Sequence, residues 1–130
     1  MAEQVYEVHG VGVFECAAEG DPIRVGRALN DLISSAWEHR AKWLVIPVAR
    51  LGDDFFRLRT GIAGEVVQKI IQYDLKLALL GDITNYVEES TALRDFVRES
   101  NRGNQFCFVK DRAELEERVG ERVDPARRRP

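Results

Sequence analysis

Hydrophobic residues along the chain fall into short runs and spaced stripes, which predict alternating strands and helices. The first two runs, residues 4–9 and 11–16, are rich in valine and meet around Gly10 and Gly12, which permit the tight turn of a β-hairpin. Apolar side chains then recur at every third or fourth position over residues 24–38, which predicts a helix with one buried stripe. The chain is therefore expected to begin with two antiparallel strands and an amphipathic helix.

The middle of the chain carries two strongly apolar strands with a helix between them. Residues 43–46 are apolar without interruption, as in a strand buried on both faces, and Pro47 ends the run because it cannot donate a ladder hydrogen bond. After a polar connection, a second helix is expected to begin near Thr60, since two glycines soon after it disfavour a helix interior. Residues 75–80 form the next apolar strand.

The last third of the chain predicts a helix, a strand and a final helix. Ser90 is a typical N-cap, and Gly103 a typical residue at the end of the helix that Ser90 opens. Residues 105–109 predict a strand, and Asp111 with Glu114 has the spacing of a capping box for the last helix. Four aromatic residues lie on apolar stripes and are expected in the core: Trp37, Trp43, Phe106 and Phe108.

This order of elements, ββαβαβαβα, predicts an α/β fold. The sheet is expected to be five-stranded and mostly parallel, with an N-terminal antiparallel hairpin and right-handed crossovers to the packed helices. We expect a single domain over residues 1–122 and a disordered, arginine-rich tail over residues 123–130. The outer strands of such a sheet have exposed edges. The sequence therefore allows a homodimer that forms through the hairpin or through residues 105–109.

Composition and charge indicate a single globular domain and disfavour several classes of binding protein. The chain has 130 residues, 45% hydrophobic and 32% charged, the balance of one globular domain whose core needs neither disulfide nor metal. Nineteen basic and 22 acidic side chains give a net charge of −3, too balanced for a general binder of nucleic acid or anionic membranes. Residues 1–21 contain no Lys or Arg, unlike the start of a signal peptide, and no apolar run approaches the roughly 20 residues of a membrane span. We therefore expect a cytoplasmic protein.

Motifs for catalysis, cofactors and metals do not stand out. The Gly-Val-Gly sequence at residues 10–12 lacks the third glycine of a dinucleotide fingerprint, and there is no Walker sequence or nucleophile elbow. His9 and His39 have no Cys or His at ligand spacing. Asp54, Asp82 and Glu99 offer carboxylates, but their spacing defines no acid–base pair. We expect no enzymatic activity, no cofactor and no metal.

Two segments carry a resemblance to a known family. Residues 55–65 contain Phe-Phe-Arg-Leu-Arg-Thr-Gly, and residues 93–103 contain Glu-Ser-Asn-Arg-Gly. These segments resemble the bacterial domain-of-unknown-function family 4180, over about residues 13–117. The most specific part is a polar run: Arg98, Glu99, Ser100, Asn101 and Arg102. The run is either a recognition surface or ordinary solvent-facing ion pairs followed by a helix C-cap, and we expect it at the sheet edge opposite Thr60.

The order of strands and helices also resembles the STAS domain of anti-sigma-factor antagonists and sulfate transporters. Those antagonists are phosphorylated on a Ser or Thr that precedes a Gly at the start of the helix after the third strand, where Thr60 and Gly61 stand here. The resemblance implies a regulatory protein-interaction module, an anti-sigma-type kinase as partner and phosphorylation of Thr60 as the switch. A phosphate there would face the helix N-terminus, with Arg57 and Arg59 close in sequence. Alternatively, Thr60 only caps the helix.

Polar residues follow the third and fourth strands, whose carboxyl ends meet at one edge of a parallel sheet. The residues expected at this edge are Asp53, Asp54, Arg57, Arg59, Thr60, Gly61, Asp82, Thr84, Asn85 and Ser90. Their mixed charges and hydroxyls suit a protein partner. The alternatives are a small-ligand or anion-binding site around Thr60 and Asp82, or a loop surface that is simply solvated.

Overall fold

A five-stranded sheet with the strand order β1-β2-β3-β4-β5 forms the centre of the protein. The computed structural model describes residues 3–123. The strands are β1 (Gln4–Val8), β2 (Val11–Glu15), β3 (Trp43–Pro47), β4 (Lys76–Leu80) and β5 (Phe106–Val109). The helices are α1 (Arg27–Glu38), α2 (Ile62–Gln72), α3 (Thr84–Glu89), α4 (Thr91–Arg102) and α5 (Arg112–Val123). Except for its first residue, the tail expected at 123–130 lies outside the described residues.

Strand pairing follows the predicted pattern. β1 and β2 are antiparallel and are joined by His9 and Gly10, whose φ angles of 52° and 80° are those of a two-residue hairpin turn. The pairs β2–β3, β3–β4 and β4–β5 are all parallel. The predicted α/β fold, with an antiparallel hairpin followed by parallel strands, is confirmed.

Two details of the helices differ from the sequence prediction. α1 begins at Arg27, after Gly26, and Val25 is 46% exposed instead of lying on a buried helical stripe. The predicted order also lacked α3, so the observed order is ββαβαβααβα. α3 has only six residues, too few to show a helical period, and its start is stabilised by Asp82, whose carboxylate accepts the Thr84 N–H at 2.9 Å.

Side chains from alternate positions of the strands form two hydrophobic clusters, one on each face of the sheet. The larger cluster joins Phe14, Leu44 and Leu79 to apolar residues of α1, α2 and α4. The smaller cluster joins Val13, Val45 and their neighbours to Leu115 and Val119 of α5. The first four helices therefore pack against one face of the sheet, and α5 packs against the other face. Within residues 3–123 no helix has the length and apolar character needed to cross a membrane.

Three of the four aromatic residues expected in the core are buried there. Trp43 is 1% exposed, and Phe106 and Phe108 pack against Phe96 with ring centroids 5.8 and 6.1 Å away. The prediction for Trp37 is wrong, because its side chain is 57% exposed. Trp37 lies in the last turn of α1 and its Nε1 donates to the carbonyl oxygen of Tyr73 at 3.0 Å, so it bridges the ends of two helices at the surface.

Candidate functional site

The loop between β3 and α2, residues 48–61, forms one side of the candidate site. It makes three 3₁₀ turns, Val48–Arg50, Asp53–Phe56 and Leu58–Thr60. Phe55 and Phe56 are buried and anchor the middle turn in the core. The polar side chains on either side of this anchor are consequently held at the carboxyl end of β3.

Thr60 fastens this loop to the start of α2. Its Oγ1 lies 2.9 Å from the carbonyl oxygen of Asp54 and 2.8 Å from that of Arg57, within donating distance of both. The same oxygen accepts the N–H of Ile62 at 3.2 Å. Gly61 has a φ of 78°, a left-handed conformation that L-residues rarely adopt. The Thr60 hydroxyl therefore acts both as a helix cap and as a clamp on the preceding turn.

Asp54 lies between two guanidinium groups. Its Oδ1 is 2.8 Å from Arg57 and its Oδ2 is 3.2 Å from Arg24. All three side chains are about half exposed, so the pairs add little to folding stability and mainly orient Arg57. Arg59 is exposed and does not line the groove described next.

A groove of about 490 Å³ opens between the middle 3₁₀ turn and α3. Its floor is the ring of Tyr86 stacked on Phe56, with centroids 4.2 Å apart and an interplanar angle of 14°. Its rim is polar and consists of Asp53, Arg57, Asp82, Asn85, Glu89 and Ser90. The Tyr86 hydroxyl donates to Asp53 at 2.6 Å, and this bond to a carboxylate raises the pKa of Tyr86. The groove thus combines an aromatic floor with three carboxylates and one guanidinium.

Asp82 is shared by the groove and by a second crevice. Its Oδ1 accepts hydrogen bonds from the hydroxyl and the backbone N–H of Thr84, and these bonds lower the pKa of the carboxyl group. The crevice, about 520 Å³, is lined by Asp82, Thr84 and Asn101 together with residues around the start of α5. The expected separation of the polar run from this edge is therefore wrong for Asn101, which shares a crevice with Asp82.

The rest of the polar run behaves as a solvated helix face. Arg98 pairs with Asp95 at 2.7 Å and Arg102 with Glu99 at 3.7 Å, all with exposed side chains. The carbonyl oxygen of Ser100 accepts the Gly103 N–H at 3.1 Å at the end of α4. Asn101 differs because its side chain reaches β5 and accepts the Phe108 N–H at 2.7 Å.

The groove is lined by acidic, aromatic and polar side chains. The groove contains carboxylates and a tyrosine, but no cysteine, serine or lysine bonded to a base that would activate it as a nucleophile. Across the described part of the chain, no group of three or more His, Cys, Asp or Glu side chains could hold a metal ion. Three carboxylates around an aromatic floor favour a cationic group in the groove.

Five of the residues that the sequence placed at this edge line the groove: Asp53, Arg57, Asp82, Asn85 and Ser90. The sequence alone did not identify Phe56, Tyr86 and Glu89, which also line the groove. The only local signal was an aromatic residue within a polar stretch at Tyr86, since a helix of six residues shows no clear apolar stripe.

Comparison with known protein families shows that a family profile matches most of the chain. The profile of a family described as "Domain of unknown function (DUF4180)" matches residues 8–119. Both segments that carry the resemblance noted above fall within this match. No curated protein and no solved structure matches the chain.

Proposed function

Since the chain belongs to the DUF4180 family, we propose a function from its own geometry: a cytoplasmic, regulatory protein-interaction module with a STAS-like fold. Its groove docks a basic segment of a partner protein, for which an anti-sigma-type kinase is the candidate. The sequential sheet order, with four helices following one face, supports the STAS-like assignment.

The observation that carries the proposal is the charge on the groove rim. Asp53, Asp82 and Glu89 face a single cation, Arg57, which is itself paired with Asp54. A lysine or arginine side chain of a partner would lie over the Tyr86 ring and between carboxylates, where cation–π attraction and charge pairing add to each other.

Thr60 supplies a physical route to regulation. Phosphorylation would replace the hydroxyl hydrogen that Thr60 can donate to Asp54 or Arg57. It would also place a double negative charge beside those carbonyl oxygens. The turn that carries Asp53, Phe56 and Arg57 would lose its clamp, so the groove rim would change shape. Modification of Thr60 is therefore coupled to docking although Thr60 does not line the groove.

A small-ligand site at the same edge is the second candidate, and the rim charge decides which ligand it would take. Three carboxylates disfavour an anion, and the Ile62 N–H at the start of α2 is already bonded to Thr60. A small organic cation is therefore the ligand class that the groove favours.

Charge reversal on α3 tests the docking surface. Glu89→Lys changes the rim, whereas Glu88→Lys makes the same change on the same helix outside the groove. Affinity capture from the lysate of the source organism should retain a specific partner with wild type and Glu88→Lys, and lose it with Glu89→Lys. Equal capture by all three baits would contradict a docking role for the groove.

A separate experiment tests whether phosphorylation of Thr60 regulates docking. Mass spectrometry of the natural protein should find phosphate on Thr60, and Thr60→Glu should lose the partner while Thr60→Ser retains it. If a partner is bound through the groove but Thr60 carries no phosphate and Thr60→Glu binds normally, docking stands and the switch is rejected. Native mass spectrometry showing a bound small cation, with no protein partner, would favour the second candidate.

A further inference from the structure

The two outer strands of the sheet differ in how their free edges are covered. On β5, the side chain of Asn101 accepts the Phe108 N–H, and Arg118 reaches from α5 to the carbonyl oxygen of Asn101 at 2.7 Å. On β1, no group within residues 3–123 bonds to the edge that faces away from β2. Unpaired strand edges recruit further strands, and proteins usually cover them. The outer edge of β5 thus has the Phe108 N–H bonded, whereas the outer edge of β1 has no backbone group bonded within residues 3–123.

The register identifies the open groups of β1. Gly12 accepts the Lys42 N–H at 2.9 Å and Cys16 donates to Val45 at 3.0 Å, so the even-numbered residues of β2 face β3. The odd-numbered residues of β2 consequently face β1, where their partners are Gln4, Tyr6 and Val8. The backbone N–H and C=O groups of the intervening residues, Val5 and Glu7, therefore point outward.

We propose that two copies of this chain pair through β1, antiparallel and with Tyr6 at the two-fold axis. Three registers align the outward groups of both copies. Centring on Val5 places Glu3 opposite Glu7 of the second copy, and centring on Glu7 places the two Glu7 side chains opposite each other. Centring on Tyr6 places Val5 opposite Glu7 and Glu3 opposite His9. Only this last register avoids opposed carboxylates, so charge selects it.

Side chains near the axis fit the same arrangement. Val5 is 49% exposed and would be covered by the aliphatic part of Glu7 from the second copy. The Tyr6 rings of the two copies would lie side by side, each held by its own Glu15 at 2.7 Å and with Arg112 at 4.2 Å over the ring. A pair of five-residue strands buries less than the roughly 1,200 Å² of a standard interface, so a weak dimer is expected. Because the two-fold contact uses the β1 edge of both copies, this contact joins two copies and no more.

The oligomeric state of charge variants tests this surface. Sedimentation over a range of concentrations should show a reversible dimer of the 14.8 kDa chain. Val5→Glu places a carboxylate opposite Glu7 of the second copy at two symmetric positions and should weaken dimerisation about tenfold. The double variant Val5→Glu with Glu7→Lys should restore it. Val25→Glu makes the same change at a similarly exposed valine, 46% exposed, and should leave the dimer unchanged.

Amide exchange tests the register directly. The N–H groups of Val5 and Glu7 should exchange more slowly as the protein concentration rises, while that of Tyr6, bonded within the hairpin, should not respond. A monomer at all concentrations up to about 1 mM would overturn the proposal. So would a dimer that Val5→Glu leaves intact, or one in which the amides of Val5 and Glu7 show no concentration dependence. Circular dichroism of Val5→Glu distinguishes a lost dimer from a lost fold.

Discussion

The side-chain oxygen of Asn101 accepts the backbone N–H of Phe108 at 2.7 Å, so a residue at the end of α4 satisfies an outward donor of β5. The main-chain carbonyl of Asn101 accepts Nη2 of Arg118, from the opposite face of the sheet, at 2.7 Å. Asn101 thus links α4 to β5 through its side chain and to α5 through its main chain. Within the polar run that carries the family resemblance, Asn101 has a structural role of its own.

Loss of the Asn101 side chain should destabilise the protein. Asn101→Ala leaves the Phe108 N–H without its acceptor, and we expect the free energy of unfolding to fall by about 1–2 kcal/mol. Urea denaturation followed by circular dichroism measures this change. Asn101→Asp keeps an acceptor oxygen and should lose less, and Arg98→Ala, which removes only an exposed ion pair, should lose under about 0.5 kcal/mol. Equal stability of Asn101→Ala and wild type would contradict the role of this bond.

The Thr60 clamp should be visible in stability as well as in docking. Thr60→Ala removes the hydroxyl that contacts Asp54, Arg57 and Ile62, and we expect a loss of about 1 kcal/mol. Thr60→Ser keeps the hydroxyl and should stay close to wild type. Thermal unfolding of the two variants makes the comparison. A serine variant as unstable as the alanine variant would assign the effect to the lost methyl group instead.

The two tryptophans should differ in their access to solvent. Trp37 is 57% exposed and Trp43 is 1% exposed, so acrylamide should quench only part of the wild-type fluorescence. In Trp37→Phe the remaining emission comes from Trp43 and should be nearly insensitive to acrylamide. Strong quenching of this variant would show that Trp43 is accessible, contrary to the fold described here. Stability should change little in Trp37→Phe, since a surface ring is replaced.

Glycines 64 and 81 should respond in opposite ways to alanine. Gly81 has a φ of 143°, and an added Cβ would lie 3.0 Å from Cβ of Val48, so Gly81→Ala should destabilise the protein by about 1–3 kcal/mol. Gly64 lies within α2 with no atom within 4 Å of an added Cβ, so Gly64→Ala should stabilise it by about 0.5–1 kcal/mol. Melting temperatures of both variants test the pair. If both variants melted above wild type, or both below it, this prediction would be contradicted.

Alkaline pH should weaken the fold through a buried thiol. Burial raises the pKa of Cys16 from 9.0 to about 12. Above pH 9.0 the unfolded chain loses this proton while the folded chain keeps it, so the free energy of unfolding declines as the pH rises toward 12. Burial also raises the pKa of Tyr6, which acts in the same direction.

Denaturation of wild type and Cys16→Ala across this pH range isolates the contribution of the thiol. The alanine variant should be less stable at neutral pH because a buried side chain is truncated, but its decline above pH 9.0 should be shallower. Parallel declines in the two proteins would show that Cys16 does not contribute to the alkaline transition.

Local sequence patterns correctly predicted the starts of α4 and α5. Ser90 accepts the Leu93 N–H at 3.1 Å, and Asp111 accepts the Glu114 N–H at 2.9 Å, as the capping patterns indicated. A cap joins atoms only three residues apart, so the residues that form it are adjacent in the sequence. α3 was missed for the converse reason, because six residues with few apolar side chains give no period to detect.

The candidate site was predicted in part. The carboxyl ends of parallel strands share an edge whatever the details of packing, which is why Arg57, Asp82 and Asn85 could be grouped in advance. The aromatic floor of the groove could not be predicted in the same way. Phe56 and Tyr86 are 30 positions apart in the chain, and they stack because β3 and β4 are neighbours in the sheet.

By itself, the sequence determined the strands, most helices, the hairpin and the parallel order, because periodicity and turn residues act over a few neighbouring positions. Only the tertiary structure determined which side chains and which strand edges are covered by other parts of the chain. Trp37 shares its helical stripe with buried residues yet is 57% exposed, with its Nε1 bonded to the carbonyl oxygen of Tyr73 at the end of α2. Asn101 bonds the outward Phe108 N–H of β5, whereas no group within residues 3–123 bonds the outer edge of β1. Coverage depends on elements far apart in the chain, so no local pattern could reveal it.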